Sequence, residues 1–223
     1  MNMTRLVLLD LGNSLIYRKK SLFDYDTKLI SLCTDINIEH IKKVVNAHVL
    51  TNSEIYDFSL QPRRTLKEED VAEKKFFSLI FKELDRSKDL DSFLDKKKAE
   101  QRYWLYNGTI DLLSSLKSKG YLLGVLTNGR PSRRRILNIL NISSFFEKKY
   151  IFVSDEIGYY KPNKEIFEYV RSLSDYKKIT LCDDEDINIQ SATKLGWDAI
   201  KINHDSFGFS KVINVLINNH ENL

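Results

Sequence analysis

The sequence predicts an α/β protein: a doubly wound, parallel five-stranded sheet with a helical domain inserted after its first strand. Three observations predict it. From Asn107 onward, short apolar runs alternate with amphipathic stretches of helical length, which implies right-handed βαβ crossovers and a parallel sheet buried on both faces. One isolated apolar run, Leu6–Leu9, lies far upstream of that series. The long stretch between them carries its apolar residues at helical spacing only.

The first run, Leu6-Val7-Leu8-Leu9, ends in Asp10-Leu11-Gly12-Asn13, so it reads as a buried strand followed by a tight loop. From about Leu22 to Tyr103, Ile38, Ile41, Val45 and Val49 recur every three or four residues, as do Phe77, Ile80, Phe81 and Leu84. That pattern predicts about four helices and no strand, with Asp35, Thr65 and Ser92 as caps or polar loop residues between them. The resulting division is a core of residues 1–16 and 105–223 and an inserted helical domain of residues 17–104.

Within the core, a helix over Thr109–Ser118 closes at Lys119-Gly120, a basic residue followed by glycine at a helix end. A strand over Tyr121–Leu126 follows, then Thr127-Asn128-Gly129 and a helix to about Leu140. The series continues with strand Tyr150–Val153, helix Lys164–Ser172, strand Lys178–Cys182, helix Asn188–Leu195 and strand Ala199–Ile202.

Composition sets the outer bounds. The chain has 223 residues, 42% hydrophobic and 30% charged, a balance that buries a substantial core and excludes a disordered chain. Two cysteines, Cys33 and Cys182, are too few for a disulfide scaffold and lack metal-ligand spacing. No apolar run approaches the roughly 20 residues of a membrane helix, and the N-terminal apolar stretch is too short for a signal peptide. The expectation is a cytoplasmic protein with reduced thiols and no membrane partner. A net charge of +4 suits an anionic small substrate without calling for nucleic acid. Arg130, Arg133, Arg134 and Arg135 lack interleaved aromatics and read as a solvated helix face, as do Lys96, Lys97 and Lys98. His40, His48, His204 and His220 form no spaced set for zinc or a nucleophile triad.

In an open parallel sheet, ligands bind beyond the carboxyl ends of the strands. The polar residues there are Asp10 after the first strand and Thr127 and Asn128 after the second. Ser154, Asp155 and Lys161 follow the third, and Asp183, Asp184, Glu185 and Asp186 the fourth. Converging carboxylates repel unless a cation lies between them, and oxygen-only ligands favour magnesium over zinc. A lysine at the same spot calls for an anion, and a phosphate bridges lysine and metal.

Four segments in this order, Leu6-Val7-Leu8-Leu9-Asp10-Leu11-Gly12-Asn13-Ser14, Val125-Leu126-Thr127-Asn128-Gly129, Gly158-Tyr159-Tyr160-Lys161-Pro162 and Leu181-Cys182-Asp183-Asp184, resemble the four motifs of the haloacid dehalogenase (HAD) superfamily. The resemblance covers residues 4–16 and about 105–205 and implies the family's Rossmann-like core with a helical cap. It implies Asp10 as nucleophile and magnesium ligand, the Gly12 carbonyl and Asp183 as further ligands, and Asp184 as ligand or neighbour of the metal site. Thr127 and Lys161 would bind the phosphoryl group, and Asn128 would orient Asp10 or contact substrate. The substrate implied is a small phosphorylated metabolite.

The chain departs from the family pattern at Gly12, where most family phosphatases carry an aspartate that protonates the leaving oxygen and then activates water. Such a group is worth roughly 10²–10⁴-fold. Three readings stay open at this point. The first is a phosphatase for esters whose leaving group needs little protonation, such as a sugar 1-phosphate. The second is a phosphate-binding or regulatory protein with negligible turnover. The third is a metal-independent 2-haloacid dehalogenase. Ser14 reads as a loop cap. Tyr17, Arg18 and Lys19 are the expected substrate contacts, and Phe76, Phe77, Phe81, Tyr103 and Trp104 are core or pocket aromatics.

Overall fold

The computed structural model describes residues 5–51, 63–174, 176, 178–205 and 208–218. The chain divides into two compact units, Met1–Tyr17 with Leu105–Leu223, and Arg18–Trp104.

The first unit is built on a parallel sheet of five strands: β1 (Leu6–Leu9), β4 (Leu122–Thr127), β5 (Ile151–Val153), β6 (Ile179–Asp183) and β7 (Asp198–Lys201), in the order β5-β4-β1-β6-β7. The α/β class and all five strands are those the apolar runs predict, with ends shifted by a residue or two. β1 lies at the centre, and all four of its residues are fully buried, because helices on both faces leave no solvated side for a polar residue. β4 packs closely at Gly124, where a side-chain carbon would stand 2.5 Å from the Tyr150 carbonyl oxygen and 2.7 Å from Leu8. Two short strands, β2 (Ile16–Tyr17) and β3 (Trp104–Leu105), form a separate two-stranded sheet. They are too short to show in periodicity.

The crossovers are α5 (Thr109–Ser118), α6 (Arg133–Ile139), α8 (Lys164–Leu173) and α9 (Asp186–Lys194). One turn of helix, α7 (Ser154–Ile157), and a last helix, α10 (Ser210–Leu216), were not evident from the pattern. One layer of the core gathers Leu6, Leu8, Leu126, Phe152, Phe167, Leu181 and Trp197.

The second unit contains, among the described residues, four helices: α1 (Leu22–Thr34), α2 (Ile38–Thr51), α3 (Leu66–Glu83) and α4 (Leu90–Ala99). Its core joins Ile30, Ile41, Val45, Phe76, Phe77, Ile80, Phe81 and Phe93, so the phenylalanines of α3 are interior packing. Thr65 caps α3 through a capping box, its hydroxyl accepting from the Glu68 amide while Glu68 accepts from the Thr65 amide. Asp35 ends α1 in the left-handed conformation (φ 57°). Ser92 is no cap. It lies inside α4, which the preceding 3₁₀ turn Ser87–Asp89 leads into.

Two expected solvated faces are more engaged than predicted. Lys97 and Lys98 pair with Glu73 (2.9 Å) and Asp70 (3.2 Å). Arg134 forks onto Glu156 and donates to the Ile151 carbonyl, tying α6 to α7 and β5. No helix among the described residues is long and apolar enough to cross a membrane.

Candidate active site

The site grows from the loop after β1. The Asp10 amide donates to the Cys182 carbonyl (2.9 Å), carrying the β1–β6 ladder one residue beyond the strand and setting Asp10 beside Asp183. The chain then turns tightly. The amides of Leu15 and Ile16 donate back to the Leu11 carbonyl, and Asn13 takes a left-handed conformation (φ 55°) that its short polar side chain tolerates. Gly12 is not held to glycine by either backbone or space: its φ lies outside the left-handed region, and an added side-chain carbon would meet nothing within 4 Å.

Lys161 reaches this point from the segment after α7. Its buried ammonium donates to Asp10 Oδ1 (2.8 Å) and contacts Asp183 Oδ2. Two carboxylates from two strands therefore converge on one cation. Asp183 is held from behind: Asn188 on α9 donates to both its oxygens (3.0 and 3.2 Å), and the Glu185 amide donates to Oδ1 (2.9 Å). Asp184 accepts from the buried Ser14 hydroxyl (2.9 Å).

Thr127 ends β4 with its hydroxyl bonded to no described residue. Asn128 hydrogen-bonds to Lys161 rather than to Asp10. Its amide oxygen accepts from the Lys161 backbone N–H (3.0 Å) and its nitrogen donates to the Lys161 carbonyl (2.8 Å), so it positions the lysine. The Ser154 hydroxyl accepts from the Gly129 amide (2.9 Å) and the Asp155 amide donates to the Gly129 carbonyl (3.2 Å), bracing the loop after β4. Of the acidic run, Asp186 pairs with Lys201. Asn188 follows the Asp183-Asp184 pair as the family resemblance implies, whereas sequence reasoning missed His204, whose imidazole lies 2.7 Å from the Ser14 carbonyl. No periodicity or spacing marks His204.

The electrostatics follow from this crowding. Burial pushes the Asp10 carboxyl above its ordinary range; the Lys161 ammonium opposes this, and Asp183 and Asp184 add to it. Asp184 is raised by burial, against the Ser14 hydrogen bond and with help from Asp183. For Lys161, burial acts downward but Asp10 and Asp183 outweigh it, so the amine is held protonated. Burial and Asp183 together push the Cys182 thiol up to about 12, which makes it a neutral packing group.

Among the described residues, no three His, Cys, Asp or Glu side chains group as a ready metal cage. The donors present are nevertheless all oxygen, and Asp10 and Asp183 are close enough to share one ammonium. Three carboxylates against one lysine leave a negative excess that suits a divalent, oxygen-seeking cation.

A family model described as haloacid dehalogenase-like hydrolase matches residues 21–202. The match begins downstream of Asp10, so the place of that residue rests on the geometry above. A glyceraldehyde 3-phosphate phosphatase of Methanothermobacter thermautotrophicus is 34% identical over 104 residues, 45% of each chain. The chain thus spans about 45% of the length of the curated relative it matches. Among solved structures, a magnesium-bound HAD-hydrolase of Bacillus subtilis superposes with a TM-score of 0.56 at 19% identity, covering 96% of this chain and 99% of the other. A 2-haloacid dehalogenase of Pseudomonas syringae superposes with a TM-score of 0.60 at 16% identity, covering 92% and 88%. At such identities the likeness is one of fold.

Proposed function

The chain belongs to the haloacid dehalogenase-like hydrolases, and from that premise we propose that it is a magnesium-dependent phosphatase of a small phosphorylated metabolite. The observation that carries the reading is the Lys161 ammonium held between Asp10 and Asp183. A buried cation at a carboxylate nucleophile suits a transferring phosphoryl group, whose charge spreads over its equatorial oxygens.

In this reading Asp10 attacks phosphorus, the bond from phosphorus to the leaving oxygen breaks, and the phosphoryl group passes to the carboxylate. Lys161 and the Thr127 hydroxyl bind the phosphoryl oxygens, and Asn128 keeps the lysine in line through its backbone. Asp10, the Gly12 carbonyl and Asp183 would hold magnesium, with Asp184 beside them, and the ion would supply charge neutralisation. Water then hydrolyses the aspartyl-phosphate. The helical unit, Arg18–Trp104, acts as the cap that selects the substrate. Two of the sequence-predicted contacts there are engaged within that unit: Lys19 lies 4.6 Å from the Trp104 ring and Arg18 5.8 Å from that of Tyr103.

Gly12 directs the choice of substrate. The core offers no free acid at that position, so leaving groups that depart without a proton are favoured, sugar 1-phosphates and aryl phosphates among them. Because nothing occupies the space at Gly12, Gly12→Asp is expected to fold normally and to raise turnover of esters with basic leaving groups by about tenfold or more. Comparing p-nitrophenyl phosphate with an alkyl phosphate in both proteins checks this.

The deciding experiment is phosphate release across sugar phosphates, glyceraldehyde 3-phosphate, nucleotides and p-nitrophenyl phosphate, with magnesium, with chelator and with Asp10→Asn. Turnover that requires both magnesium and Asp10 is the expected result. Binding of phosphate without turnover on any ester would leave a phosphate-binding protein. Chloride release from a 2-haloacid in chelator would make the chain a dehalogenase.

A further inference from the structure

We propose that His204 is a positioning residue for this reaction: it fixes the loop that carries Asp10 and Gly12 by donating a hydrogen bond to the Ser14 carbonyl. The inference rests on the phosphatase reading and adds a fifth strand end to the site.

His204 follows β7, whose register with β6 extends to Asp183↔Lys201. Its Nε2 lies 2.7 Å from the Ser14 carbonyl oxygen. A carbonyl only accepts, so this bond requires hydrogen on Nε2, which the Nε2–H tautomer or the imidazolium supplies and the neutral Nδ1–H tautomer does not. The ring is held in place by packing. It stacks on Tyr106 with centroids 3.5 Å apart and planes 7° from parallel, and Phe209 meets it edge-on at 4.9 Å and 89°.

The loop receives further ties. The Ser14 hydroxyl donates to Asp184 (2.9 Å). The Leu15 carbonyl accepts from the Tyr106 amide (3.0 Å) and from the Thr109 hydroxyl (3.2 Å). Tyr106 thus anchors the loop through its backbone and clamps His204 through its ring. These ties bear on consecutive residues beyond Gly12, so the loop geometry depends on segments far from it in sequence. Positioning of this kind matters because misplacing a reacting group by about 1 Å costs roughly 10²-fold.

Two variants separate the hydrogen bond from the packing. His204→Phe keeps an aromatic ring against Tyr106 and loses the donor. His204→Gln supplies an amide donor and loses the stack. With p-nitrophenyl phosphate and magnesium, His204→Phe is expected to lower kcat by about 10- to 100-fold with KM nearly unchanged and Tm close to that of the unaltered chain. His204→Gln is expected to recover most of that loss. A His204→Phe protein with undiminished kcat, or a kcat that falls only in step with Tm, overturns the proposal. The bond is also read without turnover. Long-range ¹⁵N–¹H spectra of the imidazole showing hydrogen on Nε2 support it, and an Nδ1–H tautomer overturns it. An unaltered chain that shows the Nε2–H tautomer but hydrolyses no ester fails the phosphatase reading alone.

Discussion

Each compact unit buries a cluster of carboxylates and cations, and the two clusters differ in what they leave unsatisfied. In the helical unit Arg102 contacts Asp26 and Glu100, while Lys97 pairs with Glu73. In the α/β unit Lys161 alone meets Asp10 and Asp183, with Asp184 alongside. Burial pushes the acid upward in both, Asp26 against Lys97 and Arg102, Asp10 against Lys161. A buried ion pair therefore does not by itself mark a site. What distinguishes the Asp10 cluster is its position on loops at strand ends and its larger excess of negative charge, three carboxylates against one ammonium where the Asp26 cluster sets three against two cations. The Asp26 cluster joins a helix to the segment after α4.

Removing the cation from each cluster breaks the comparison most sharply. Lys161→Met is expected to lower phosphoester turnover by roughly 10²- to 10³-fold or more, because the charge on the transferring group loses its counter-charge; steady-state kinetics checks this. Arg102→Met leaves Asp26 buried without its hydrogen-bonded partner and is expected to cost about 3–5 kcal/mol of stability. Replacing Asp26 by Leu in the same chain should restore most of it, since an apolar pair needs no desolvation of charge. Denaturant unfolding of the single and double variants reads both outcomes, and a double variant no more stable than Arg102→Met would contradict the argument.

The two cysteines give a smaller contrast of the same kind. Cys182 is fully buried beside Asp183, whereas Cys33 is half-buried with the Lys96 ammonium 3.8 Å from its sulfur. A thiol reagent is expected to modify Cys33 and spare Cys182 in the folded protein. The sign of the pH effect follows from the raised thiol. Between its ordinary value near 9 and the folded value of about 12, the unfolded chain has lost the proton that the native state keeps. Stability therefore falls as pH rises through that window, by at most about 1.4 kcal/mol per unit from this one group. Cys182→Ala removes that contribution, and unfolding curves between these pH values show whether it does.

Much of this was legible in the sequence because it is local. The apolar runs gave the five strands, and Lys119-Gly120 marked the end of α5. Thr65 with Glu68 forms the box their spacing allows. Where local reasoning went astray, a neighbour in space was responsible. Ser92 looked like a boundary, but the 3₁₀ turn at Ser87–Asp89 had already started the helix. Arg134 looked solvated, but Glu156 lies across from it on α7.

By itself, the sequence determined the order of elements and which polar residues stand at the strand ends, since periodicity and turn chemistry act over a few residues. Only the tertiary structure decided which of those residues serve one another. Asn128 holds Lys161 across 33 residues, Ser14 holds Asp184 across 170, and His204 reaches the Ser14 carbonyl across 190. These pairings follow from the order β5-β4-β1-β6-β7, which places β1 between β4 and β6 and brings loops remote in sequence together at the carboxyl ends of the strands.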